Sequence, residues 1–231
     1  YSFYYFRCRF IRIFSFSYKT HISKRIQNIV LIFGQNCLKK ETHLFDNSKP
    51  LKDKRIAAEA CVHHLWFSDA DYDTKGSFIK WNPAVKTAAD RDGILKAVLD
   101  DRIDVIATDH APHTLEEKQN NYMSAPSGGP LVQHCLPALL EMYHQGKISL
   151  EKIVEKTSHN LAICFNIEDR GYIREGYWAD LALVDIDNPW EVKKSNILYK
   201  CGWSPFEGHQ FKSQITHTFV SGHLAYEYGY F

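Results

Sequence analysis

The fold class of this 231-residue chain can be inferred from residues 103–113, Ile103-Asp-Val-Ile-Ala-Thr-Asp-His-Ala-Pro-His113. The first half of this stretch is a short apolar run bordered by charged residues, which is typical of a buried parallel strand. Asp109, His110 and His113 follow where that strand ends. Since α/β barrels place their active sites at the carboxyl ends of parallel strands, these side chains are candidate site residues. The alternative is an ordinary polar strand end capped by Asp109.

Helical patterns lie on both sides of this strand. Thr87 and Asp90 form a start that resembles a capping box, and apolar residues then recur with helical spacing at Ile94, Leu95, Val98 and Leu99. Ser149 opens a second helix with apolar residues on one face. The order of helix, strand, loop and helix predicts an α/β fold.

After Gly171 the sequence pattern changes to short runs of β-forming residues separated by turns. Residues 180–186 and 215–220 read as strands, and Ser221-Gly222-His223 reads as the turn of a hairpin. We therefore divide the chain into an unassigned segment 1–39, an α/β part 40–178 and a small β region 179–231.

Composition limits the classes of partner. The chain is 45% hydrophobic and carries 28 basic against 27 acidic residues, which predicts a soluble globular protein with no overall attraction to nucleic acid or to an anionic membrane. Its longest unbroken apolar run is Ile29 to Phe33, far short of the roughly 20 residues that span a membrane. The six cysteines are widely scattered, which suits a reducing compartment, and we expect the cytoplasm.

Residues 1 to 40 differ from the rest of the chain because they hold eight Lys or Arg and no Asp or Glu. Three interpretations stay open: an organelle transit peptide, a stretch translated out of frame or from flanking sequence, and a nucleic-acid-binding arm. The start at Tyr1 rather than methionine indicates a fragment or a processed chain. No fold is assigned to this segment.

A second stretch rich in potential metal ligands is Cys61-Val-His-His-Leu65. Neutral imidazole is a common zinc ligand. If His63 and His64 lie on a strand, they point to opposite faces, so only one can face a shared site. The alternative makes one a hydrogen-bonded core residue and the other a surface residue.

Four motifs in order resemble those of the dihydroorotases, a group of cyclic amidohydrolases. They are Glu59-Ala-Cys-Val-His-His-Leu, Lys80-Trp-Asn-Pro-Ala-Val-Lys, Ile106-Ala-Thr-Asp-His-Ala-Pro-His-Thr and Asp169-Arg-Gly-Tyr-Ile-Arg-Glu-Gly-Tyr-Trp-Ala-Asp-Leu. The resemblance runs from about Lys40 to the C-terminus. It implies the C-terminal part of a metal-dependent (β/α)8 TIM-type barrel plus part of a small β domain. Ala84 and Lys86 depart from the family pattern, which more often has proline and arginine there.

The resemblance also implies roles for individual residues. His63 matches a metal ligand, and Asp109 matches a metal-bound general base that would be the catalytic residue. Asn82 matches a contact to the pyrimidine ring, and His113 matches the residue that holds the substrate carboxylate. Ser127 and Gly128 match a loop whose backbone touches the ring. The implied cofactor is zinc, as one or two divalent ions.

The implied activity is the reversible hydrolysis of the cyclic amide of dihydroorotate to N-carbamoyl-aspartate in pyrimidine biosynthesis. The partner would be this small molecule, with no nucleic acid and no membrane, and assembly into a homo-oligomer stays open. Two alternatives remain. One is a non-catalytic, dihydroorotase-like scaffold, and the other is a sister enzyme such as a dihydropyrimidinase, hydantoinase or allantoinase.

The resemblance accounts for only part of such a site. The family's His-x-His motif occurs nowhere in residues 1 to 62, and the bridging ligand of the family also belongs upstream. A complete barrel takes about 250 residues. We therefore expect a C-terminal portion that retains His63 and Asp109 and is inactive alone, because catalytic zinc usually has three protein ligands.

Two further stretches are expected to be structural. Trp203 and Phe206 flank a proline and should pack beneath a loop. Glu116-Glu117-Lys118 follows the candidate site and should be a solvated loop, with a lid over the site as the alternative.

Overall fold

The computed structural model describes residues 10–13 and 38–231. The strands in this part of the chain are β1 Phe10–Ile13, β2 Glu59–Cys61, β3 Val105–Ala107, β4 Leu181–Asp185, β5 Trp190–Glu191, β6 Gln210–Phe211, β7 Gln214–Val220 and β8 His223–Glu227. The α-helices are α1 Val62–Trp66, α2 Tyr72–Lys75, α3 Ala88–Leu99, α4 Leu115–Lys118, α5 Cys135–His144, α6 Leu150–Val154 and α7 Asn160–Cys164. A π-helical turn, Glu155–His159, joins α6 to α7, and 3-10 turns occupy Lys39–Leu44, Leu51–Asp53, Asp69–Asp71, Gly76–Ile79 and Lys194–Asn196.

Strands β2 and β3 form a parallel pair in which Cys61 lies opposite Ala107. The predicted buried strand is confirmed, although it begins at Val105 rather than Ile103. The carboxylate of Asp104 accepts hydrogen bonds from the backbone N–H of Ala58 and from the Lys54 ammonium. Asp104 therefore anchors the chain just before β2 instead of extending the strand.

Helix α3 begins where the capping pattern predicts. The Thr87 hydroxyl accepts a hydrogen bond from the backbone N–H of Asp90 at 3.2 Å, which satisfies one of the free donors of the first turn. Ile94 and Val98 are buried, whereas Leu99 is 40% exposed and adds little to the apolar face. The predicted start at Ser149 is also confirmed, because its hydroxyl accepts from Lys152 N at the first turn of α6.

The small β region contains the antiparallel sheet β1-β4-β7-β8. Ser221 and Gly222 join β7 to β8 with φ values of 51° and 85°, and positive φ at both central residues is the conformation that tight hairpins favour. Strand β1 pairs with β4, so part of the segment to which the sequence assigned no fold is a strand. The interpretations proposed for residues 1–39 otherwise fall mainly on residues outside the described ranges.

The main core packs these helices against the parallel strands through a set of aromatic and aliphatic side chains. Trp203 and Phe206 are each 2% exposed, which confirms their predicted packing role. The α/β class is confirmed by parallel strands covered with helices. Within the described residues, no helix combines the length and apolar character needed to cross a membrane.

Candidate active site

The candidate site lies just beyond the carboxyl ends of β2 and β3. Because Cys61 pairs with Ala107, the chain delivers His63 and Asp109 to the same edge, each two residues past its strand. The charge of Asp109 reaches the groups on the β2 side. Burial is the main cause that lowers the pKa of His64, and Asp109 opposes that shift. Burial raises the pKa of the Cys61 thiol, and the negative charge of Asp109 raises it further.

His63 is fully buried, and its imidazole is held mainly by ring contacts. It stacks on the Trp81 indole with ring centroids 4.4 Å apart. Neither ring nitrogen forms a well-aligned hydrogen bond with another described residue, although buried polar atoms are normally paired. Burial lowers the pKa of His63 well below its ordinary value, and His64 adds to the shift, whereas the Thr108 backbone opposes it. His63 is therefore a neutral imidazole with a free lone pair, the form that binds metals.

The two histidines lie in helix α1 and not on a strand, so the expectation of opposite strand faces was wrong. A helix begins at Val62, directly after β2, and both imidazoles are buried. His64 is not a surface residue either: its Nε2 lies 3.1 Å from the carbonyl oxygen of Pro83. His64 thus ties the end of β2 to the segment that contains Asn82.

Asp109 adopts a left-handed backbone conformation, with φ of 47°. Such a conformation in a residue other than glycine costs on the order of 1 kcal/mol and recurs at functional sites. Aspartate tolerates it better than most residues. The side chain is half-buried at the turn that follows β3.

One hydrogen bond and one close backbone approach bring three of the predicted substrate residues together. The Nε2 atom of His113 lies 3.0 Å from the carbonyl oxygen of Ser127. Gly128 follows with φ of 120°, and a Cβ at this position would lie 2.5 Å from the carbonyl oxygen of Ala111. Only glycine fits this close approach without movement of the backbone. The loop after β3 and the loop 126–129 therefore form one unit.

Asn82 joins this unit indirectly. Its side chain is exposed and makes no hydrogen bond to another described residue, but the neighbouring Lys80 carbonyl accepts a hydrogen bond from Gly128 N at 2.9 Å. Likewise, no hydrogen bond within the described ranges joins His63 or Asp109 to His113. The structure thus assembles His113, Ser127 and Gly128 directly, while Asn82, His63 and Asp109 lie on adjoining segments.

The side chains at the site supply an incomplete donor set for a metal ion. The described residues contain no group of three or more His, Cys, Asp and Glu side chains that could hold a metal ion. The buried imidazole of His63 and the carboxylate of Asp109 nevertheless suit a divalent cation such as zinc, which takes nitrogen and oxygen ligands. A complete zinc site would need at least one more ligand than these two residues supply.

One residue at the site, Lys118, was not identified as such from the sequence. Lys118 was expected in a solvated loop, yet it is fully buried and its ammonium donates to backbone carbonyls of the loop 126–129. His110, a candidate from the sequence, accepts a hydrogen bond at Nδ1 from the backbone N–H of Leu131 at 3.0 Å. A cleft of about 360 Å³ opens beside this region, lined by His110, Pro112, His113, Thr114, Tyr199, Lys200 and Cys201.

Residues 21–225 match the amidohydrolase family. The dihydroorotase of Halobacterium salinarum is 43% identical over 151 residues, which cover 65% of this chain and 36% of that protein. The dihydroorotase of Pyrococcus furiosus is 34% identical over 197 residues, covering 82% of this chain and 46% of that protein. This chain thus spans less than half the length of these relatives.

Solved structures show the same fold. The L-hydantoinase (dihydropyrimidinase) of Arthrobacter aurescens aligns with a TM-score of 0.76 and 25% identity, over 86% of this chain and 44% of that chain. A D-hydantoinase aligns with a TM-score of 0.69 at 22% identity, over 77% of this chain and 40% of that chain. These neighbours confirm the predicted α/β architecture as part of a TIM-type barrel with a small β region. On the strength of the family match over most of its length, the chain belongs to the amidohydrolase family.

Proposed function

We propose that this chain carries part of the active site of a dihydroorotase, which hydrolyses the cyclic amide of dihydroorotate reversibly to N-carbamoyl-aspartate in pyrimidine biosynthesis. The observation that carries the proposal is the buried, unpaired imidazole of His63 on the strand pair that also delivers Asp109. The similarity to proteins named dihydroorotase supports the choice of reaction.

In this proposal, His63 and Asp109 are ligands of a divalent cation, for which zinc is the best candidate. When bound, such a cation lowers the pKa of water to about 7 and polarises the amide carbonyl. Asp109 accepts the proton of the attacking water and returns it to the ring nitrogen that departs, so one carboxylate serves as base and then as acid. The buried His63 stays neutral and is held by its stack on Trp81.

We assign substrate binding to the unit formed by the two loops. His113 holds the substrate carboxylate, the backbone of Ser127 and Gly128 touches the ring, and Asn82 contacts it from the adjoining segment. In the structure, Nε2 of His113 is already engaged with the Ser127 carbonyl. A substrate carboxylate would therefore displace the Ser127 carbonyl from Nε2, because the Glu117 carboxylate already lies 3.8 Å from Nδ1. A charge-assisted bond of this kind favours a carboxylated ring over a plain one.

A second candidate is hydrolysis of a hydantoin or dihydropyrimidine ring. It is favoured by the similarity of the fold to the Arthrobacter aurescens enzyme, which is named L-hydantoinase (dihydropyrimidinase). The two candidates differ in whether the substrate carries a carboxylate. A non-catalytic scaffold is the third, and loss of metal ligands would be its signature.

We place the reaction in the cytoplasm, because Cys61, Cys135, Cys164 and Cys201 are all free thiols. The partner in this proposal is the small-molecule substrate, with neither nucleic acid nor a membrane surface. A homo-oligomer is compatible with it.

The test is a chimera that joins the N-terminal part of the Halobacterium salinarum dihydroorotase to residues 40–231 of this chain. We expect the zinc-loaded chimera to turn over dihydroorotate and N-carbamoyl-aspartate in preference to hydantoin and dihydrouracil. Zinc content and circular dichroism serve as controls for assembly. A folded, zinc-loaded chimera that prefers the rings without a carboxylate would support the second candidate, and one that turns over none would support the scaffold.

A further inference from the structure

Lys118 is a buried cation that no carboxylate neutralises within the described residues. It ends helix α4 with none of its surface exposed. Its Nζ donates to the carbonyl oxygens of Pro126 at 2.9 Å and Gly128 at 2.8 Å, and the Lys80 carbonyl lies at 3.4 Å. An ammonium has three protons to donate, so these three carbonyls match its full capacity.

We propose that Lys118 is a positioning residue whose ammonium fixes the loop 126–129 in the orientation that presents Ser127 and Gly128 to the substrate. The substrate contact in this inference rests on the proposed function, whereas the fixing of the loop does not.

Peptide geometry explains how two hydrogen bonds set the orientation of the loop. The carbonyl and the N–H of a trans peptide unit point in opposite directions. Because the Pro126 carbonyl points at Lys118, the N–H of Ser127 points away from it. Because the Gly128 carbonyl also points at Lys118, the N–H of Gly129 likewise points away from it. Lys118 thus fixes the peptide unit that precedes Ser127 and the peptide unit that follows Gly128.

The surroundings of Lys118 exclude water from this arrangement. Its Nζ lies 5.9 Å from the centre of the Trp203 ring, and the Trp203 indole N–H donates to the His113 carbonyl at 2.8 Å. The Trp81 ring packs closely on the same loop, since a Cβ on Gly129 would lie only 3.1 Å from it. Burial lowers the pKa of Lys118 to about 8, with Lys80 adding to the shift. The charged form still prevails at pH 7, which lies below that value.

Lys156 provides a matched control. It is also buried, and its Nζ donates to the carbonyl oxygen of Ile103 and to the Asp101 carboxylate, both at 2.8 Å. It lies on the π-helical turn Glu155–His159, and none of its hydrogen bonds reaches the loop 126–129. Replacing either lysine removes a buried ammonium, but only Lys118 touches the candidate site.

The experiment is amide hydrogen exchange on the intact chain, comparing Lys118→Met, Lys118→Arg and Lys156→Met with the wild type. The reporters are Gly128 N–H, bonded to the Lys80 carbonyl, and Ala111 N–H, bonded to the Gly129 carbonyl. We expect exchange of both to become about tenfold faster in Lys118→Met, to be largely restored in Lys118→Arg, and to stay unchanged in Lys156→Met. Equal exchange in Lys118→Met and the wild type would overturn the proposal.

A measurement on the wild type covers the case in which Lys118→Met does not fold. A buried, fully bonded ammonium gives a slowly exchanging proton–nitrogen signal in NMR, and contacts to the Trp203 ring assign it to Lys118. Absence of that signal would also overturn the proposal. Binding of dihydroorotate to the zinc-loaded chimera tests the proposed function separately: failure of the chimera to bind, with the exchange results on the chain as expected, would refute that function and leave the positioning role standing.

Discussion

Replacing Gly128 with alanine should damage both the stability of the chain and its candidate site. The added Cβ would lie 2.5 Å from the Ala111 carbonyl oxygen, and φ at this position is +120°. The unfavourable φ costs about 1–2 kcal/mol, and forcing an atom into a packed site costs about 1–3 kcal/mol more. The expected loss in the free energy of unfolding is therefore about 2–5 kcal/mol, the sum of these two contributions.

The control is Gly208→Ala, because Gly208 also has positive φ, +84°, but a Cβ there would meet nothing within 4 Å. Gly208→Ala should lower the free energy of unfolding only through the unfavourable φ, by about 1–2 kcal/mol. Urea unfolding followed by circular dichroism measures both variants. The steric reasoning is refuted if Gly128→Ala is no less stable than Gly208→Ala.

Three other predictions address the site and its support. Asp109→Asn in the zinc-loaded chimera should reduce turnover of dihydroorotate by about 10²-fold or more because it removes the proposed base; a variant that keeps most of its activity would rule out that role. Lys54→Met should cost about 3–5 kcal/mol in urea unfolding because it leaves the buried carboxylate of Asp104 unpaired, and a loss below 1 kcal/mol would contradict this. Burial lowers the pKa of His134 to about 4, so the unfolded chain binds more protons than the native one between about pH 6.5 and 4. The wild type should thus lose stability relative to His134→Gln as the pH falls through this window, and parallel pH profiles would show that the shift is absent.

Local signals in the sequence predicted elements whose cause is local. The helix cap at Thr87 involves a residue three positions away, and the turn at Ser221 involves its direct neighbour. The structure contains both. The buried strand was visible because its residues are apolar on both faces. The start of the strand at Val105 was missed, because the carboxylate of the preceding Asp104 accepts a hydrogen bond from the backbone N–H of Ala58, 46 residues away.

The candidate site was predicted less completely because its contacts join distant segments. A five-residue stretch such as Cys61 to Leu65 does not distinguish a strand end from a helix start, so the placement of His63 and His64 was wrong. Lys118 follows two glutamates and reads as a solvated residue, yet its partners come from residues 80, 126 and 128. The resemblance to the family predicted His113, Ser127 and Gly128 as substrate residues, and the structure brings these three residues together.

A titration of the isotope-labelled chain with Co²⁺, followed by NMR, tests whether His63 and Asp109 bind the same cation. If His63 and Asp109 bind one cation, the ring signals of His63 and the backbone amide of Asp109 shift together with a single dissociation constant. In His63→Ala, the response at Asp109 should then disappear or require a much higher Co²⁺ concentration. An Asp109 amide that never responds, or that responds equally well without His63, would contradict a shared metal site.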